Sequence, residues 1–134
     1  FSGIRFEPKP RQKPRPPIWV GGESRRAIER AVKYGDGWHP VGLTPEQMGA
    51  KVREVRSLLP DEKKHGFVMS LRRNVEINEA REFGPEETLR GGLGKIRDGI
   101  EAYREAGVDH LVLYVLSGEF EGVLRTMKAL REVL

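Results

Sequence analysis

Apolar residues along the chain recur with two periods, and these mark out the elements. Ile18-Trp19-Val20 is a short apolar run ended by Gly21-Gly22, which predicts a buried strand over 18–21. Ala27, Ile28, Ala31 and Val32 repeat at helical spacing, so 25–34 is a predicted helix. Ser24 is placed to cap its start, and Gly35 to stop it. Asp36 to Val41 predicts a second short strand, closed at its far end by Pro40. Thr44-Pro45-Glu46-Gln47 reads as a capping box with Pro at the first helical position. Met48, Val52, Val55 and Leu59 then form one face of a helix that Pro60 ends. Residues 67–77 alternate. Phe67, Met69, Leu71, Val75 and Ile77 share one side with Arg73, and Val68, Ser70, Arg72, Asn74 and Glu76 share the other. A period of two means a third strand with one mostly polar face. Residues 84–94 read as a loop or a broken turn. Leu93, Ile96, Ile100 and Tyr103 mark a helix stopped at Gly107. The run 110–116 is a nearly continuous apolar fourth strand, as expected when both faces are covered. Phe120, Val123, Leu124, Met127 and Leu130 define a last helix.

The order is therefore β-α-β-α-β-α-β-α. Alternation of this kind predicts a parallel sheet with right-handed crossovers. Four such units make a small open α/β domain, or half of a (β/α)8 barrel, which takes about 250 residues when complete. The chain has 134 residues and begins at Phe1 in a loop-like segment, so a fragment or a processed product is expected.

Charge changes this picture only at one end. The net charge is +4, and all of it lies in residues 1–17, where Arg5, Lys9, Arg11, Lys13 and Arg15 face Glu7 alone. The remaining residues carry equal numbers of each sign. Five prolines in residues 8–17 make that segment extended. We therefore divide the chain into a Pro-rich basic leader or linker, 1–17, and a folded body, 18–134. A nucleic-acid-binding domain would carry its excess charge on a folded face, so nucleic acid is not an expected partner. No apolar run reaches the ~20 residues of a membrane span, and no signal-peptide pattern is present. A cytoplasmic protein is expected. With no cysteine, thiolate metal sites and Cys nucleophiles are excluded. His39, His65 and His110 lack paired-ligand spacing, so no metal site is expected.

Three stretches carry candidate chemistry. Gly21-Gly22-Glu23-Ser24 joins a strand to a helix. Glycines there admit close approach of an anion, and free N–H groups at a helix start favour a phosphate. The same residues also fit a tight turn with a Ser cap. Trp38-His39 falls at the end of a strand, the end that faces the ligand crevice in parallel α/β proteins. Trp38 could wall a flat ring, and His39 could donate a hydrogen bond or a proton, which makes it the candidate catalytic residue. A packed Trp and a surface His are the plain alternative. Arg72 and Arg73 point to opposite sides of the third strand. An Arg facing a barrel interior calls for an anionic partner, so Arg72 is a candidate substrate contact. A solvated strand end is the alternative. His110 opens its strand away from the expected site and is read as structural.

One resemblance adds to this. Pro8-Lys9-Pro10, Gln12, Pro14, Pro16-Pro17-Ile18, Val20-Gly21-Gly22, Ser24, Ala27, Arg30-Ala31 and Gly35-Asp36-Gly37-Trp38-His39-Pro40 resemble the C-terminal half of the luciferase-like monooxygenase family. Within that family the pattern is most similar to the branch that uses coenzyme F420. Tyr103 to Leu113 also resembles the approach to the family's last strand. The resemblance implies a (β/α)8 barrel, with this chain as its strands five to eight. It implies an oxidoreductase that moves a hydride to or from an organic substrate, or a monooxygenase, with F420 or alternatively FMN as cofactor. It places the cofactor phosphate on Gly21, Gly22 and Ser24, with Trp38 and His39 nearby. It implies that the missing half pairs with the open strands, or that half-barrels associate as a homo-oligomer. The competing reading is a non-catalytic half-barrel that binds phosphate or assembles.

Overall fold

A computed structural model describes residues 2–5 and 7–134. In chain order the elements are β1 (Trp19–Gly21), α1 (Arg25–Tyr34), β2 (Gly37–His39), α2 (Pro45–Leu58), α3 (Asp61–Lys64), β3 (Val68–Ile77), β4 (Arg90–Gly91), α4 (Leu93–Glu105), β5 (His110–Val115) and α5 (Phe120–Leu130). The described residues of the leader form no strand or helix.

Every strand pairing is parallel. β1 lies beside β2, β2 beside β3, and β5 beside β3. The spatial order of these four follows the chain order with no reversal. Right-handed crossovers that always step the same way put every helix on one face and leave the other face as a barrel interior. A doubly wound sheet would reverse its order and carry helices on both faces. The fold is thus half of a (β/α)8 barrel.

The two elements not expected from the sequence are short. α3 fills what reads as a charged turn, and its Lys63 ammonium donates to the carbonyls of Val32, Lys33 and Gly35 at 2.8, 3.1 and 3.2 Å. It thereby serves the unpaired carbonyls at the end of α1, where the helix dipole also favours a cation. β4 takes up the loop region 84–94. The N–H groups of Arg72, Glu76 and Asn78 all turn to one edge of β3, and they reach Pro40, Leu89 and Gly91 respectively. β4 therefore continues the edge of β3 that β2 is too short to cover.

Caps follow the sequence closely. The Ser24 hydroxyl accepts from the Ala27 N–H at 3.2 Å, and both bonds of the Thr44–Gln47 capping box are formed. Ile28, Ala31, Trp38, Met48, Met69 and Leu71 lie between the sheet and the helices with almost no exposure. The polar side of β3 is the inner face, as its alternation predicts. β5 departs from expectation. It is covered only in part, and Tyr114 is 55% exposed. The reason is its place at the edge of the sheet, where α5 shields it lightly: Phe120 and Met127 stay exposed and only Leu130 of that helix is buried. No described helix is long and apolar enough to cross a membrane.

Candidate functional site

The β1–α1 turn comes first. Gly22 has φ +98°, a left-handed conformation that side chains with a Cβ rarely adopt, and an added Cβ would sit 3.1 Å from the Ala27 Cβ. The turn so formed aims the start of α1 past the end of β1. No described acceptor takes the N–H groups of Glu23, Ser24, Arg25 or Arg26. The first turn of α1 holds no acidic residue. Free donors, the helix dipole and a basic first turn together suit an anion. Arg25 pairs with Glu29 at 3.0 Å, while Arg26 is otherwise ill placed, since cations are unfavourable at a helix start.

Alternation along β2 then separates its two candidates. Neighbouring side chains on a strand face opposite ways. Trp38 points to the helices and is fully buried. It therefore offers no surface to wall a ring. Its indole N–H donates to the Gly22 carbonyl at 2.7 Å and fastens the β1–α1 turn from below.

His39 points to the inner face. There the register lines up Gly21 with His39 and Ser70 with His110 across the sheet. His39 Nδ1 lies 2.8 Å from the Ser70 hydroxyl. The Trp19 ring stacks on His39 at 6.1 Å and meets His110 edge-on at 5.0 Å. Burial holds the His39 pKa below its usual value, and the nearby His110 and Arg72 push it the same way. His39 is therefore neutral near pH 7. His110, which the sequence places away from the site, belongs to this row. The stagger of the strands sets the end of β2 level with the start of β5, and register is not visible in a single sequence.

Arg72 is exposed on the same face, two residues beyond Ser70, with its guanidinium 5.3 Å from the Tyr114 ring. No described carboxylate pairs with it. It opens on a cavity of about 270 Å³ that Arg73, Asn74, Glu86, Glu87 and Arg90 also line. Arg73 faces the helix side and donates to the Gly42 and Glu86 carbonyls. Arg90 is committed to Glu76 and Glu87. Among the described residues no cluster of His, Asp or Glu is arranged to hold a metal.

A family profile described as luciferase-like monooxygenase matches residues 1–82. The chain belongs to the luciferase-like monooxygenase family. An FMNH2-dependent dimethylsulfone monooxygenase of Pseudomonas putida is 35% identical over 57 residues, a match covering 42% of this chain and 16% of that protein. Two solved structures share the fold. One is an F420-dependent secondary alcohol dehydrogenase in complex with an F420-acetone adduct, with TM-score 0.66 and 15% identity, over 88% of this chain and 48% of that one. The other is apo-MsnO8, with TM-score 0.69 and 18% identity, over 98% of this chain and 55% of that one. This luciferase-like chain thus spans about half the length of the solved structures it matches.

The luciferase-like motif Gly-Asp-Gly-Trp-His-Pro also holds a structural tie. The Asp36 carboxylate accepts from the Ile18 N–H at 2.7 Å and pairs with Arg15. It so ties the leader to the entrance of β1. The signal available was an acidic residue one strand away from an excess of basic ones.

Proposed function

We propose that this chain supplies the C-terminal, cofactor-phosphate-binding half of a flavin- or deazaflavin-dependent oxidoreductase or monooxygenase. The observation that carries the reading is the β1–α1 turn of a family member, with unaccepted N–H groups at Glu23 to Arg26 beyond a left-handed Gly22. FMN and F420 both carry a phosphate group, so either fits this turn. Of the two, we favour F420 on the residue pattern around Val20-Gly21-Gly22 and Gly35 to Pro40. The bound cofactor would supply the hydride or oxygen chemistry.

The chain's own residues then have separate tasks. Gly21, Gly22 and Ser24 hold the phosphate, and Trp38 holds the turn that holds it. His39, neutral and partly enclosed, meets the reacting substrate and exchanges a proton or hydrogen bond with it. Arg72 meets an electron-rich group of a small organic substrate. The inner face and the apolar groove of about 560 Å³ between β5 and α5 are closed by further (β/α) units, supplied by an N-terminal half or a second copy.

The direct test is titration of the intact protein with F420 and with FMN, followed by fluorescence. Micromolar binding of one of them is expected. Gly22→Val forces a branched side chain into a left-handed conformation, at a cost of about 1–3 kcal/mol. That strain should weaken binding about tenfold or more, since 1.4 kcal/mol is tenfold. Unchanged affinity in Gly22→Val would reject the turn as the phosphate site.

A further inference from the structure

Ser70 is fully buried, on the inner side of β3. A buried hydroxyl must spend its single proton and can accept with two lone pairs. Three polar atoms surround its Oγ. The His110 carbonyl oxygen is at 3.0 Å, His39 Nδ1 at 2.8 Å and His110 Nδ1 at 3.4 Å. A carbonyl oxygen can only accept. If the hydroxyl proton went to His39, a Ser70 lone pair would face the carbonyl lone pairs at 3.0 Å. The proton therefore goes to the His110 carbonyl, and Oγ is left as an acceptor. His39 Nδ1, at the shorter of the two imidazole distances, must then carry hydrogen and donate it.

We propose that Ser70 is a positioning residue that fixes His39 in the Nδ1–H tautomer and leaves Nε2 as a hydrogen-bond acceptor on the inner face. The group of a ligand that meets His39 is then a hydrogen-bond donor, such as the hydroxyl of an alcohol. A bare carbonyl or a carboxylate at that position would set lone pair against lone pair. No described residue is hydrogen-bonded to Nε2, so the acceptor is available. The groups that face His39 are Trp19 from β1, Ser70 and Arg72 from β3, and His110 from β5. None of them is a carboxylate that would draw a second proton on to the ring. This inference refines the role given to His39 above, but it rests on no property of the phosphate turn.

The test is the imidazole ¹⁵N spectrum of the isotope-labelled intact protein without cofactor, recorded where His39 is neutral. Wild type should show hydrogen on Nδ1. Ser70→Ala removes the acceptor, and the ring should revert to the Nε2–H form that free imidazole side chains prefer. Ser70→Thr keeps the hydroxyl and should keep the Nδ1–H form. His110→Phe should also keep it, because Ser70 donates to the main-chain carbonyl of that residue. Hydrogen on Nε2 in wild type overturns the proposal, and that spectrum decides even if Ser70→Ala does not fold. An unchanged tautomer in folded Ser70→Ala overturns it too. Gly22→Val should leave the spectrum of His39 as it is, so failure of the phosphate turn and failure of this assignment are distinguishable.

Discussion

Trp38 and His39 show how one peptide step divides two tasks. Side chains alternate across a strand, so only one of the pair can face the barrel interior. His39 has that place, and Trp38 acts through Gly22 instead. Trp38→Phe keeps most of the apolar volume but deletes the donor to the Gly22 carbonyl. Loss of about 0.5–1.5 kcal/mol is expected, the net worth of one hydrogen bond, because Gly22 is exposed and its carbonyl can turn to water. Chemical denaturation would measure it. Cofactor affinity should fall in the same variant although Trp38 is fully buried. Retention of wild-type affinity would mean that the turn holds its shape without the indole.

At the scale of elements, the helices meet through a few polar ties set in an apolar layer. α4 is joined to the segment before α2 by Tyr103, which is buried and donates from its hydroxyl to the Leu43 carbonyl at 2.8 Å. Burial raises the Tyr103 pKa, so the phenol stays protonated and the donor persists across the working range. Tyr103→Phe strands the Leu43 carbonyl and should cost about 1–3 kcal/mol. Much of this level was legible in the sequence. The Ser24 cap, the Thr44–Gln47 box, the stops at Gly35 and Pro60 and the alternation of β3 are all local chemistry. α3 and β4 were not legible. Each is too short to show a period, and each exists because of distant partners: the end of α1 for Lys63, and the uncovered edge of β3 for β4.

For the molecule as a whole, proton linkage joins the site to stability. His39 is held below 6.5, so the unfolded chain binds more protons there than the folded one. Its contribution is complete above about pH 6.5 and is lost as pH falls through the folded value. Asp36 is held below 3.8 by its bond from Arg15 and then by the Ile18 N–H, so its contribution is complete above 3.8 and fades at more acid pH. The unfolding midpoint of the intact protein should therefore decline below neutrality and again in acid. His39→Asn should remove the first decline and leave the second. An identical pH profile in His39→Asn would show that the near-neutral loss belongs to another group. The same scale explains the exposed apolar side of β5 and α5. A sheet that winds in one direction closes only when further strands meet both open edges.

Taken alone, the sequence determined the alternation of strands and helices, the caps, the concentration of charge in the leader and the place of the Gly21-Gly22 turn. These follow from backbone preference and periodicity within a few residues. Tertiary structure alone decided that Trp38 supports the turn from within the core. It also decided that Asp36 ties Arg15 to the start of β1, and that His39, Ser70 and His110 share one row. The physical reason is register. Strand stagger and the choice of inner face depend on how every strand packs against its neighbours, and residues 39, 70 and 110 carry no local mark of that alignment.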